Sequence, residues 1–170
     1  MMVNINANIK KVCSFYVSDW HFITMLLPHI NEKINEEVKI ATILEEDATE
    51  LIEKLLEKLN LKNTKKIKDI NWKAVEEIDN KIGSILDNDQ TNTEIIVNGT
   101  REFIKEVNSK IEEYININNK EKQNITIINC YDVYKYEDSI REILEKHDKV
   151  LNTSGEKEKE EYLSKMEVKQ

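Results

Sequence analysis

Short runs rich in β-branched and aromatic residues alternate along this chain with longer runs whose apolar residues recur at helical spacing. That alternation is the pattern of a βα-type domain. Residues 11–17 (KVCSFYV) predict a first strand, and Ser18 or Asp19 then caps a helix bearing Trp20, Ile23, Leu27, Ile30 and Ile34. Pro28 falls inside that helix and is expected to kink or interrupt it, because it removes a backbone donor. Residues 38–44 (VKIATIL) predict a second strand, apolar enough for burial on both faces. The next helix, capped by Asp47 or Thr49, sets Ala48, Leu51, Ile52, Leu55, Leu56 and Leu59 on one stripe.

Residues 67–72 (IKDINW) read as a short third strand, ahead of a helix over 73–86 that turns Val75, Ile78, Ile82 and Ile85 inward. A polar turn over 87–92 leads to a strand over 93–97 (TEIIV). Asn98-Gly99 then turns the chain into a helix with Phe103, Ile104, Val107, Ile111 and Tyr114 on its apolar face. After a polar loop over 118–123, residues 125–131 (ITIINCY) form a strong central-strand candidate closed by Asp132. A helix over about 137–147 packs Ile140, Ile143 and Leu144, and Val150-Leu151 form a last short strand. The expected fold class is α/β: a mostly parallel central sheet of about five strands flanked by helices. Residues 1–155 are expected to form a single domain. Residues 156–170 (EKEKEEYLSKMEVKQ) read as a charged, exposed helical tail whose Tyr162, Leu163 and Met166 dock weakly on the domain or a partner.

Charge narrows the function classes. The net charge is -8, with lysines interleaved among acids, which disfavours direct nucleic-acid binding and docking on anionic membranes. The two cysteines, Cys13 and Cys130, each sit inside an apolar run and read as reduced, buried thiols, facing each other if their strands are neighbours. The opening residues hold no apolar signal segment, and the apolar stretch around residues 23–27 is far too short to span a membrane. A soluble, cytoplasmic domain is the expectation.

The chemistry-bearing motifs are mostly negative. None of Gly83, Gly99 and Gly155 lies in a phosphate-binding glycine pattern, and Ser18-Asp19-Trp20-His21 would obstruct a phosphate cradle. His21, His29 and His147 and the two cysteines lack metal spacing, so no cofactor or metal is expected. Ligands of open α/β sheets bind at the carboxyl ends of the strands. Those ends supply a candidate ligand-binding set of Tyr16, Ser18, Trp20, Glu45, Trp72, Tyr131 and Asp132, aromatic rings beside orienting polar groups. The plainer alternative is that Tyr16 and Trp72 close the core while the acids cap helices. An enzyme reading would need Asp132, Glu45 and His147 to converge on one site.

The block Val12-Cys13-Ser14-Phe15-Tyr16 with Trp20 and Leu26-Leu27-Pro28, the strand end Ile43-Leu44-Glu45-Glu46, and the late block Ile128-Asn129-Cys130-Tyr131-Asp132 are arranged like a known family. Followed by Ile143-Leu144-Glu145-Lys146-His147-Asp148 and Val150-Leu151, they resemble the MEDS domain, the sensory domain of the dichloromethane-responsive repressor and of some histidine kinases. The resemblance spans residues 10–155. It implies a RecA-like fold without a phosphate-binding loop, and sensing of small organic compounds. It also implies output through an attached DNA-binding or kinase module; this sequence departs from that arrangement, so the signal is expected to pass to a separate histidine kinase or transcriptional regulator, with the charged C-terminal helix as a docking element. The expected function is a stand-alone sensory domain that binds a small organic ligand, a partner regulator, or both. The alternatives are a pure protein-interaction scaffold on a degenerate nucleotide-binding fold, and an enzyme using strand-end carboxylates; oligomeric state stays open.

Overall fold

A computed structural model describes residues 9–87, 92–118, 123–134 and 139–168, with side chains to residue 164. Its elements in chain order are β1 (Ile9–Tyr16), α1 (Asp19–Asn35), β2 (Lys39–Leu44), α2 (Thr49–Leu56), α3 (Thr64–Lys68), α4 (Ile78–Leu86) and β3 (Asn92–Asn98). There follow α5 (Arg101–Asn118), β4 (Asn124–Asp132), α6 (Ile140–Glu145), β5 (Lys149–Asn152), β6 (Gly155–Glu158) and α7 (Lys159–Val168). The strands form one sheet in the order β2-β3-β4-β1-β5-β6, parallel throughout except where β6 pairs antiparallel with β5. The fold is therefore α/β with a mostly parallel six-stranded sheet, consistent with a RecA-like arrangement.

Alternation along the central strands divides the core in two. Cys13, Phe15, Ile95, Val97, Ile125, Ile127 and Tyr131 point to a face covered by α4, α5, α6 and α7. Val12, Ile96, Ile128, Cys130 and Leu151 point to the face covered by α1, α2 and α3. Burial on both faces is why these strands read as nearly continuous apolar runs. The connections explain the two layers. From β1 the chain crosses β4 and β3 to reach edge strand β2, then returns through β3 and β4 and past β1 to β5. Reversing direction puts α1 on one face and α5 and α6 on the other, as right-handed crossovers require. Neighbouring strands β1 and β4 thus send their connections to opposite faces, which makes their carboxyl ends the topological switch point of the sheet.

Several local expectations are corrected. Residues 67–72 are not a strand: Ile67 lies in α3, and the one ladder contact nearby is an isolated bridge between Leu44 and Ala74. Trp72 drove that expectation as an aromatic, but it is buried against α1 and α2, and its indole N–H donates to Ile67 O at 2.9 Å. Trp72→Phe is expected to keep the fold and lose about 1 kcal/mol, read as a lower urea midpoint. The helix expected over 73–86 is shortened to α4 because Val75 N–H is held by Leu44 O. Pro28 does not interrupt α1, whose buried Phe22, Ile23, Leu26, Leu27 and Ile30 hold the helix along its length. Beyond Gly155 the chain is not simply an exposed helix. It first adds β6 to the sheet, and Tyr162 and Leu163 of α7 then pack on the core, Tyr162 with its ring 6.0 Å from Phe15. Met166, the middles of the turns at 88–91 and 119–122, and the first residues of the helix expected from 137 lie outside the described residues or side chains.

Candidate functional site

The residues expected to line a ligand site fall into distinct environments. Ser18 Oγ accepts the His21 N–H at 3.1 Å and is the N-cap of α1, while Trp20 stands half-exposed on the first turn. Tyr16 packs on Phe22, and its hydroxyl accepts a hydrogen bond from Asn98 Nδ2 at 3.0 Å; burial pushes its pKa up to about 12. Asp132 Oδ1 accepts the Tyr134 N–H at 3.0 Å, an Asx turn that ends β4. Glu45 Oε1 accepts the Thr100 N–H at 2.7 Å, just ahead of α5. Gly99 exists for that approach: a Cβ there would come within 2.5 Å of Phe103 and 2.8 Å of the Glu45 side chain. Gly99→Ala is expected to cost about 2 kcal/mol, measurable as a depressed melting temperature, by forcing the strand end and α5 apart.

Tyr16, Ser18, Trp20, Glu45 and Asp132 therefore do share the carboxyl edge of the sheet, largely with structural hydrogen bonds of their own. Trp72 does not. Tyr131 points into the helical layer over the sheet, between Phe15 and His147. The acid–base trio does not converge, since Asp132, Glu45 and His147 bond to three separate segments.

A larger concavity lies elsewhere. A cleft of 520 Å³ opens between α5 and α6 over β4, walled by Arg101, Lys105, Asn108, Ser109 and Glu112 on one side and Glu142, Ile143 and Lys146 on the other. Lys11, Asn129, Tyr131 and His147 complete it. Arg101 of α5 and Glu142 of α6 are joined at 2.8 Å, and Lys11 meets Glu112 at 2.6 Å. The cleft carries a chain of buried amides. Asn108 Nδ2 donates to Asn129 Oδ1 at 2.9 Å, and Asn129 Nδ2 returns a bond to Asn108 Oδ1 at 3.1 Å. Asn129 also reaches His147 Nε2 at 3.0 Å, and His147 Nδ1 lies 2.6 Å from Ile143 O. A carbonyl only accepts, so Nδ1 carries the proton and Nε2 is left to accept from Asn129.

The carboxyl end of α6 would favour a protonated His147, but burial outweighs that: its pKa falls to about 4, and the ring is neutral near pH 7. Asn108 and Asn129 were not anticipated. Neither cysteine joins the cleft chemistry. Their strands are neighbours, but Cys13 faces one core and Cys130 the other, so they do not face each other, and burial raises both thiol pKa values. Among the described residues no group of three or more His, Cys, Asp or Glu is placed to hold a metal ion, and no helix is long and apolar enough to cross a membrane.

No protein-family model, curated protein or solved structure matches the chain.

Proposed function

We propose that the protein is a sensory domain that takes a small, polar organic ligand into the cleft between α5 and α6 and passes the change to a partner regulator. The observation that carries this reading is the cleft itself: 520 Å³ lies within the range of small-molecule sites, about 300–1,000 Å³. Its wall combines the apolar side chain of Ile143 and the ring of Tyr131 with the fixed amide–imidazole chain of Asn108, Asn129 and His147. Such a chain orients a ligand without moving. The Arg101–Glu142 pair, tying α5 to α6, is the contact a polar ligand would compete for, which gives binding a route to helix movement. The resemblance to the MEDS domain points in the same direction, toward sensing of small organic compounds.

The test is a thermal-shift screen against small organic acids, nucleotides, halogenated hydrocarbons and aromatic compounds, repeated on Ser109→Trp. Ser109 is exposed on the cleft wall, so an indole there fills the cleft without touching the core. A ligand at about one hundred times its dissociation constant adds about 2.7 kcal/mol, a shift of several degrees for a domain of this size. The expected result is a hit in the native protein that Ser109→Trp abolishes. A hit indifferent to Ser109→Trp places the ligand elsewhere, and no hit at all favours the interaction scaffold.

A further inference from the structure

The carboxyl edge of the sheet is electrostatically inverted relative to a phosphate-binding site. The described residues there, 17–19, 45–48, 99–101 and 132–134, hold five carboxylates, Asp19, Glu45, Glu46, Asp47 and Asp132, against Arg101, which is paired with Glu142, and Lys73, whose charge acts on Asp47 from the segment after Trp72. Anionic ligands are repelled from such an edge, and cationic groups are drawn to it. The same edge also gathers most of the exposed large hydrophobic residues among the described ones. Of four large hydrophobic residues that stand out in solvent, Val17, Trp20 and Tyr134 lie here, 50%, 47% and 75% exposed, while Ile117 sits near the end of α5. Val17 and Trp20 follow β1 and Tyr134 follows β4. The two loops are pinned together by the Val133 N–H donating to Tyr16 O at 2.9 Å. Trp20 and Tyr134 thus follow the two strand ends where the connections of β1 and β4 part, with Asp19 beside Trp20 and Asp132 two residues before Tyr134.

We propose that this edge docks a segment of another protein that presents lysine or arginine next to an aliphatic or aromatic side chain. The apolar side chain covers Val17 and the faces of Trp20 and Tyr134. The cations meet Asp19, Asp132 and the Glu45–Asp47 cluster, and a guanidinium can also stack on the exposed rings. Charge complementarity selects this occupant: an acidic or phosphorylated segment would meet an edge where carboxylates outnumber cations. The surface does not depend on a ligand in the α5–α6 cleft, since neither Trp20 nor Tyr134 lines it.

The experiment is a random heptapeptide array probed with the full chain, in parallel with Trp20→Ala/Tyr134→Ala and with Asp19→Asn/Asp132→Asn. Asparagine preserves the Asx turn at residue 132, and the two rings are exposed, so both variants should melt with the native protein. The expected result is enrichment of peptides combining Lys or Arg with a large apolar residue. Their binding should weaken roughly tenfold or more in each double variant and with rising salt. The emission of Trp20 should shift blue on binding, Trp72 being already buried. The proposal is overturned by an absence of binders, by binders not enriched in basic residues, or by binding that ignores both double variants. It is equally overturned if spermine alone reproduces the Trp20 shift, which would mark a small-polyamine site, or if the native chain self-associates through these residues.

Discussion

Asn129→Ala is expected to lower the free energy of unfolding by about 3 kcal/mol, seen as a reduced urea midpoint at unchanged slope. The size follows from what the substitution leaves behind. Asn129 exchanges two hydrogen bonds with Asn108 and gives a third to His147 Nε2, and all three residues are buried. Asn108 Nδ2 keeps its bond to Ile104 O, but removing the Asn129 amide takes the partner from Asn108 Oδ1 and from the imidazole Nε2, so the loss exceeds that of one ordinary hydrogen bond. Asn108→Ala should behave similarly, although it keeps the bond between Asn129 and His147. The double variant should cost clearly less than the two single changes added together, because the second removal strands little more. A loss below about 1 kcal/mol for Asn129→Ala would mean that water already serves these groups.

Acidification should act on the same chain through His147. Its folded pKa, about 4, lies below the ordinary 6.5, so the unfolded chain binds more protons than the native one between those values. The stabilisation is therefore complete above about pH 6.5 and is lost as the pH falls toward 4. The loss is on the order of 3 kcal/mol. Desolvation is the main cause, opposed by the bond to Ile143 O and by Asp148, and reinforced by the positive charges of Lys11 and Lys159. His147→Gln should flatten the pH profile over this interval, whatever its stability at neutral pH. Chemical denaturation from pH 7 to 4 on both proteins isolates the histidine from the surface carboxylates, which the two share. Parallel profiles would refute the assignment.

Much of the architecture was readable because the central strands are buried on both faces. Residues 39–44, 92–98 and 124–132 announce themselves by runs dominated by β-branched and apolar residues, and α5 by its stripe from Phe103 to Ile111. Residues 67–72 misled because Ile67, Ile70 and Trp72, set among polar residues over only six positions, fit a short helical turn and a loop as well as a strand. The decision came from Trp72 N–H finding Ile67 O. Strand β6 was invisible: Gly155–Glu158 is almost wholly charged, and an edge strand needs only backbone partners. Tyr16, Ser18, Trp20, Glu45 and Asp132 share one edge while Trp72 and Tyr131 turn elsewhere, and the cleft was missed because it is bounded by two helix flanks. A signal for it did exist. Asn129 falls two residues after Ile127 and Asn108 four after Ile104, so each interrupts an apolar series on a face that must be buried. Buried amides at such places need partners, and nearby polar residues with the same inward phase would have been the ones to seek.

Strand β6 also changes what the molecule shows to its neighbours in a crowded solution. A parallel sheet ending at β5 would leave a row of unpaired backbone groups beside apolar Val150 and Leu151, a template on which another chain could build. Pairing with Gly155–Glu158 moves that border outward to Glu156, Lys157 and Glu158, where stacking a second copy would set charged side chains against one another. The reversal of strand direction at the very margin thus works as a guard against sheet-to-sheet polymerisation. The protection costs four residues and uses no apolar surface.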